Sequence, residues 1–305
     1  MTAAFHFLFI INPAAGKRNS ASLPDRIRTA IEVPGSPHTC EIVSTEKSGH
    51  ASELAQVFAK RHGEQAIVVA CGGDGTAHEV ANGLRGTPAA LTILPLGTGN
   101  DFARVVLSSQ SIDTLLTRLT QPAIRPIDLI QINDRTCLNI TSFGFDTRVQ
   151  RLMMSINRKF RWLGQMSYPL AIVIGLLGQR RFTMKYFLKG SGCPEKQVDY
   201  ILAALCNGRF YGGGFNPAPQ AEVDDGQIEL VLVDPLPLRR IVALIPLYKK
   251  GQHLNDPAVH LLPVTSGHLA APAGFKLLGN IDGELFEAAQ IDFEILPQAV
   301  RFAFY

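Results

Sequence analysis

Asp74 stands in the run GGDGTAHEVANGL with Gly72, Gly73 and Gly75 packed around it. Three glycines in four positions permit positive φ and remove the side chains that keep a ligand off the backbone, so main-chain amides are free to face phosphate oxygens. Thr76 and Glu79 have the Thr-x-x-Glu spacing of a capping box, which predicts a helix starting here with the positive end of its dipole aimed back at the turn. Such a strand, turn and helix N-terminus attract anions. An acid in that place repels phosphate unless it works through a bound cation or accepts a proton, so Asp74 points to a Mg²⁺-nucleotide site rather than a bare phosphate cradle. Gly97, Thr98, Gly99 and Asn100 form a second tight turn. Thr98 is placed to cap the next helix and to offer a hydroxyl to phosphate, while Asp101 and Arg104 lie three apart on one helical face. That pair reads as a surface ion pair, worth under ~1 kcal/mol, or as an organiser of the phosphate site, which we prefer. Two Asp-Gly steps complete the set, Asp225-Gly226 and Asp282-Gly283, the second followed by Glu284. As local structure both are hairpin signals.

The elements that must position these residues follow from periodicity. Residues 67–71 are a short apolar run that fits a parallel strand covered on both faces. Residues 5–11 form a first strand, and the turn Asn12-Pro13-Ala14-Ala15-Gly16-Lys17 follows, small enough for close backbone approach, with Lys17 and Arg18 to supply charge. A helix is expected over 23–31, a strand over 40–43, then Thr45 and a helix over 52–61, and a strand over 91–94. Each turn therefore follows a strand, at the edge where an open α/β sheet binds ligands. Near residues 122–126 the pattern changes. Strands are expected at 127–133, 136–142, 182–188, 200–206, 227–233, 291–296 and 300–304, and helices at 146–162, 167–177 and 238–250. This predicts an α/β domain over 1–125 and a β-rich domain over 126–305, with the last residues as a candidate to pack back on the first. The glycine- and proline-rich stretch 207–226 is long for a plain loop, which predicts a function for it.

Composition narrows the class. The chain has 305 residues, enough for two cores, with 46% hydrophobic and 18% charged residues. A net charge of +3 without a dense Lys/Arg tract argues against nucleic acid as a partner. The N-terminal apolar run has no basic leader before it and reads as a strand. The longest apolar run, 169–178, is about half of the ~20 residues that a spanning helix needs, and 235–247 is broken by prolines and by Arg239 and Arg240. A soluble, cytoplasmic protein is expected, with reversible contact to a membrane surface. Cys40, Cys71, Cys137, Cys193 and Cys206 show no CxxC spacing and read as reduced, mostly core thiols, with no zinc site. The oligomeric state is not encoded in any of these patterns.

In order, NPAAGK, TEKSGHA, GGDGTAHEVANGL, PLGTGNDFAR, the glycine loop with Asp225, and DGE resemble the diacylglycerol kinase catalytic-domain superfamily, which includes bacterial diacylglycerol kinases, YegS-like lipid kinases and sphingosine kinases. NAD kinases share the GGDGT core, but PLGTGNDFAR is similar to the lipid-kinase motif, and the asparagine-glutamate motif of NAD kinases is not found. The resemblance implies an α/β N-terminal nucleotide-binding domain of NAD-kinase/diacylglycerol-kinase-like type and a β-sandwich-like second domain. It implies ATP as donor, Mg²⁺ as cofactor, and a lipid hydroxyl as acceptor, as in diacylglycerol or phosphatidylglycerol. Nucleotide contacts are implied at Asn12, Gly16, Lys17, Thr45, Gly72, Gly73, Asp74, Gly75, Thr76, Gly97, Thr98, Gly99 and Asn100, supported by Glu79, Asp101, Arg104 and Asp128. A structural Mg²⁺ would be held by the Asp225 side chain and the carbonyls of Glu222 and Gln227. Glu284 is implied as proton acceptor, with Asp74 acting through the metal, and the sequence leaves open which of the two takes the proton. Phe210 and Tyr211 are the candidates for exposed apolar contact with lipid. The alternatives are a NAD kinase-like enzyme acting on a soluble substrate and a non-catalytic nucleotide or lipid sensor.

Overall fold

The computed structural model describes residues 4–15, 22–107, 111–160, 162, 166–190 and 194–305. Four parallel strands, β1 (His6–Ile11), β2 (Thr39–Ser44), β3 (Ala66–Gly72) and β4 (Ala90–Pro95), lie in the order β2-β1-β3-β4. β3 is buried along its whole length, as its unbroken apolar run requires. The helices of this half are α1 (Leu23–Ile31), α2 (His50–His62), α3 (Asp74–Leu84), α4 (Asp101–Val106) and α5 (Ile112–Arg118). Alternate side chains of the strands face opposite layers. Leu8, Ile10, Val68 and Ala70 pack with α2 and α3, whereas Phe7, Phe9, Ile67 and Val69 pack with α1 and α5.

The second half holds the strands β5 (Ala123–Ile132), β6 (Arg135–Cys137), β7 (Ile140–Gly144), β8 (Phe182–Leu188), β9 (Lys196–Tyr200), β10 (Leu202–Cys206) and β11 (Ile228–Val233). After them come β12 (Val259–Val264), β13 (Ser266–Ala270), β14 (Leu277–Ile281), β15 (Glu284–Ala288) and β16 (Gln290–Phe304). Its helices are α6 (Phe145–Lys159), α7 (Ser167–Leu177) and α8 (Leu238–Lys250). An antiparallel sheet, β12-β11-β10-β7-β14-β15, faces the far end of a ten-stranded sheet, β2-β1-β3-β4-β16-β13-β8-β9, in which β5 also pairs with β16 and β6 with β5. Phe143, Leu205 and Leu230 of the first sheet meet Ile130, Met184, Leu269 and Phe293 of the second in one sandwich core. The fold is thus an α/β nucleotide-binding type of sheet joined to a β-sandwich-like domain.

β16 joins the halves. It pairs in parallel with β4 at Arg301 and Phe302 and antiparallel with β5 and β13, with a register break between Leu296 and Val300. The two strands expected over 291–304 are therefore one bulged strand. The stretch 200–206 divides at Ile201, because β9 belongs to one sheet and β10 to the other. Cys71, Cys137 and Cys206 are buried free thiols, and Cys193 lies outside the described residues. Among the described residues no helix is long and apolar enough to cross a membrane.

The stretch 136–142 also divides, and the cause is one side chain distant in sequence. Asp282 accepts hydrogen bonds from the amides of Leu138 (2.6 Å), Asn139 (3.0 Å) and Ile140 (3.0 Å), which takes the chain out of the ladder between β6 and β7. His78 of α3 completes the set, its Nδ1 at 2.7 Å from Asp282. Burial alone would raise the Asp282 pKa, but hydrogen bonding and the charge of His78 hold it below the usual 3.8. Burial likewise works against the His78 cation, and Asp282 overcomes it, raising the imidazole above 6.5.

The sign for stability follows. The Asp282 contribution is present above the ordinary carboxylate pKa and lost as pH falls through its depressed value. The His78 contribution is present below 6.5 and lost as pH rises through its raised value. Melting temperatures of the parent and His78→Gln should therefore differ most at about pH 5 to 6 and converge as the solution becomes alkaline. A gap that stays constant across that range would mean that no charged pair stabilises this contact.

Candidate active site

The first four parallel strands end at one edge, and each following turn is tied to its neighbour by the backbone. The amide of Asn12 donates to Cys71 O (3.0 Å), that of Thr45 to Ile11 O (2.9 Å), and those of Leu96 and Gly97 to Gly72 O (2.9 and 3.2 Å). The turns enclose a cavity of about 590 Å³ lined by Asn12, Thr45, Gly73, Gly75, Thr76, Glu79, Gly97 and Thr98, among others. That volume is within the range of small-molecule sites. Gly16 and Lys17 lie outside the described residues.

Close approach explains the glycines better than backbone freedom does. A Cβ on Gly97 would stand 2.6 Å from the Cα of Gly73, so the two glycine turns touch backbone to backbone. A Cβ on Gly83 would stand 2.3 Å from the Ser52 carbonyl, which is where α2 crosses α3. Gly72, Gly99 and Asn100 stand behind the cavity wall: Gly72 underlies the Thr76 hydroxyl, and Asn100 donates to Gly97 O at 2.7 Å.

Two capping expectations are corrected. α3 begins at Gly73 without a side-chain cap. Asn12 Nδ2 donates to the Thr76 hydroxyl (3.2 Å), and Glu79 accepts from the Ala51 amide (3.1 Å) and faces the Ser48 hydroxyl (3.5 Å). Glu79 therefore stabilises the start of α2, where an acid complements the helix dipole, and fixes the TEKSGHA segment beside the cavity. Thr98 does not cap α4, because Asn100 occupies that position at φ 51°.

Asp74 turns from the cavity wall toward α4. One oxygen accepts from the Phe102 amide (3.0 Å), and the other flanks Gly99 together with a carboxylate oxygen of Asp101. Asp101 is buried, accepts from the Gly213 amide at 2.8 Å, and lies 3.7 Å from Arg104 Nε. Its other oxygen has no hydrogen-bond partner. Burial raises its pKa, and the Asp74 charge adds to this against the pull of Gly213 and Arg104. Two adjacent carboxylates, one with an oxygen that takes no hydrogen bond and has only the longer ion contact with Arg104, form a donor set that a divalent cation fits.

Asp128 is no surface residue. Its carboxylate accepts from Gly226 (2.7 Å) and from Gln298 in the β16 bulge (2.7 Å), so it ties the Asp225 loop to the long strand. Asp225 accepts from the amide of Gln227 at 2.9 Å. Burial raises its pKa, with the charges of Asp128, Glu222 and Asp224 adding to it. Nearby Glu229 keeps one buried oxygen unpartnered, and its pKa too is raised, by burial and by Asp225. Among the described residues no three His, Cys, Asp or Glu side chains converge as metal donors, so a cation here would rely on Asp225 and main-chain carbonyls.

Glu284 opens β15 and is not free, since Arg135 Nη2 holds one of its oxygens at 2.5 Å. Its hairpin meets α3 through Asp282 and His78. His78 lies four residues beyond Asp74, a rise of about 6 Å along the helix, and Asn82 lies four further, its side-chain amide 3.2 Å from His78 Nε2 and its oxygen taken by Thr136. His78, Asn82, Arg135 and Glu229 were not singled out in the sequence, and Asp282 was read there only as part of a hairpin turn. The signal was there for two of them, because Asp74, His78 and Asn82 share one helical face. Phe210 and Tyr211 are half-buried and are not the exposed apolar contact expected: the Phe210 carbonyl accepts from Asn139, and Tyr211 packs on the core under α8.

Comparison with known proteins agrees with this arrangement. Residues 6–132 match the diacylglycerol kinase catalytic domain, and residues 139–304 match the YegS C-terminal NAD kinase beta sandwich-like domain. A Pseudomonas aeruginosa protein named probable lipid kinase YegS-like is 35% identical over 241 residues, covering 77% of this chain and 76% of its own. A diacylglycerol kinase of Bacillus subtilis is 27% identical over 279 residues, covering 90% and 88%. The crystal structure of a diacylglycerol kinase from Bacillus anthracis superposes with a TM-score of 0.74 at 20% identity over 98% of this chain and 97% of that one, a likeness of fold.

The contact between the turns separates two glycine variants. Gly97→Ala should cost about 1 to 3 kcal/mol in chemical denaturation, since backbone must move. Gly75→Ala, in the first turn of α3 with nothing within 4 Å of a new Cβ, should be neutral or stabilising. Equal stabilities for the two variants would show that the turns do not press on each other.

Proposed function

The chain belongs to the diacylglycerol kinase catalytic-domain family, and from that premise we propose that it is an ATP- and Mg²⁺-dependent lipid kinase that phosphorylates a lipid hydroxyl, as in diacylglycerol or phosphatidylglycerol. The observation that carries the reading is the juxtaposition of three parts: a cavity closed by strand-end turns, the Asp74 and Asp101 carboxylates behind it, and Glu284 on a hairpin seated on the same helix as Asp74. ATP would rest its phosphates on the turns 72–76 and 97–100, with Asn12 and Thr45 on the neighbouring strand ends. Lys17 would add positive charge. Asp74 and Asp101 would hold Mg²⁺, which when bound neutralises phosphate charge. A second, structural ion would sit at Asp225 with the carbonyls of Glu222 and Gln227, in the loop that Asp128 fastens.

Phosphoryl transfer asks more for positioning than for covalent help. The lipid oxygen forms the new bond to the γ-phosphorus while the bond from that phosphorus to the β-bridging oxygen breaks, and ADP leaves. The hydroxyl proton passes to Glu284. Arg135 occupies one Glu284 oxygen, which orients the carboxylate and leaves the other to accept.

Labelled ATP offered with a panel of dispersed lipids and, separately, with NAD tests the substrate class. Transfer to NAD alone, or ATP binding with no transfer to any acceptor, would reject the proposal. Asp74→Asn keeps the acceptor for Phe102 and should lower turnover by orders of magnitude with little change in melting temperature. Glu284→Gln should lower turnover by roughly a hundredfold or more while ATP affinity holds. Weakened ATP binding with an intact maximal rate would assign Glu284 to the nucleotide instead.

A further inference from the structure

The hairpin of α6 and α7 carries an apolar face that none of the other described residues covers. α7 turns Ala171 and Gly175 inward, Gly175 against Phe145 and Val149 of α6. Met166, Leu170, Val173 and Leu177 then recur at helical spacing on the outside. Leu177 is 77% exposed, Met166 65%, and Trp162 between the helices 81%. An apolar stripe of this extent on a folded protein marks an interaction surface.

Charge identifies the partner. From Phe145 to Arg181 the sequence holds seven Lys/Arg and a single acid, the buried Asp146, a net +6, so the rest of the chain carries −3 of the total +3. Arg158 and Lys159 close α6 exposed, and among the described residues no carboxylate pairs with either. The partner must therefore be apolar where the stripe lies and anionic around it. A second copy would bring the same cationic rim against itself, whereas a bilayer containing anionic lipid satisfies both demands. The helices cannot enter it end on, because the eleven residues of α7 span only about 17 Å, roughly half of a hydrocarbon core.

The inner side of the hairpin points at the site already described. The Tyr168 hydroxyl stands against Gly212, and the next residue, Gly213, donates its amide to Asp101. We infer that the α6–α7 hairpin is the face on which the protein lies, in plane, on an anionic bilayer, with the stripe among the acyl chains and Arg158 and Lys159 on the headgroups. This deepens the lipid-kinase reading and rests on it, since docking there brings lipid to the side of the glycine loop that touches Asp101.

The test uses the whole chain and vesicles of phosphatidylcholine with or without phosphatidylglycerol, read by co-sedimentation. The parent should favour the anionic vesicles, and Val173→Glu/Leu177→Glu and Arg158→Glu/Lys159→Glu should each lower that binding by roughly tenfold or more without changing the melting temperature. Binding that is equal in parent and variants, or absent in the parent, overturns the inference. So does a halved mass of Val173→Glu/Leu177→Glu in light scattering with vesicle binding unchanged, which would assign the stripe to a second copy. Phosphorylation of a monomeric short-chain diacylglycerol without vesicles separates the two readings. If it proceeds in all variants while parent vesicle binding fails, docking is wrong and the kinase stands. If it fails while selective vesicle binding persists, the docking face stands without the kinase.

Discussion

A carboxylate sealed from water costs several kcal/mol unless donors surround it, and Asp282 is sealed. It is tolerated because three consecutive amides, the Cys137 thiol and the His78 imidazole all turn toward it. Much of the geometry follows from that requirement. The amides are available only because the chain between β6 and β7 leaves the ladder. With Asp282 at φ 47° and Gly283 at φ 102°, the turn reverses so that Glu284 emerges on the outer side and meets Arg135. His78 in turn seats the hairpin on α3, the helix that starts with Asp74. The position of Glu284 relative to the strand-end turns is thus set by Asp282 and its contact with His78.

The first half of the fold was legible because β1, β3 and β4 are covered on both faces, so each appears as an unbroken apolar run, while the half-exposed edge strand β2 shows a mixed pattern. Where burial is one-sided or a strand changes sheet, the pattern misleads. Residues 136–142 alternate as one strand should, and nothing within them announces that Asp282, more than a hundred positions away, draws off three amides. The capping box fails for a related reason. Thr76 and Glu79 have the right spacing, but Asn12 and the start of α2 offer partners that only the folded chain brings near. The motif lines the cavity, and its cap reading is the part that the folded chain overturns.

Type and spacing pick out the candidate residues but not their relations to one another. Asp74 and Asp101 come from different motifs, and their adjacency at Gly99 appears only when the two turns touch. Asp128, Asp225 and Glu229 gather in the same way from two strands and the loop between them. In both places burial raises the Asp101, Asp225 and Glu229 pKa values, and repulsion between neighbouring carboxylates adds to it. A divalent cation relieves such repulsion, and one oxygen of Glu229 has no hydrogen-bond partner, while one of Asp101 has only its 3.7 Å ion contact with Arg104.

Two carboxylates therefore fasten the halves together from opposite ends of the cleft. Asp282 holds α3 against the DGE hairpin, and Asp128 holds the Asp225 loop against the β16 bulge. Between them β16 runs unbroken from the sandwich into the parallel sheet, pairing with β13 at one end and β4 at the other. A hinge would have to bend at the bulge, where Gln298 is held at φ 53° by its bond to Asp128, and would leave that buried carboxylate short of a donor. The architecture resists closing by domain rotation. Adjustment during a catalytic cycle is then left to what these anchors do not restrain, namely the glycine loop with its run of positive φ at Gly212, Gly213 and Gly214. That loop contacts Asp101 on one side and Tyr168 on the other, so it links the strand-end turns to the α6–α7 hairpin.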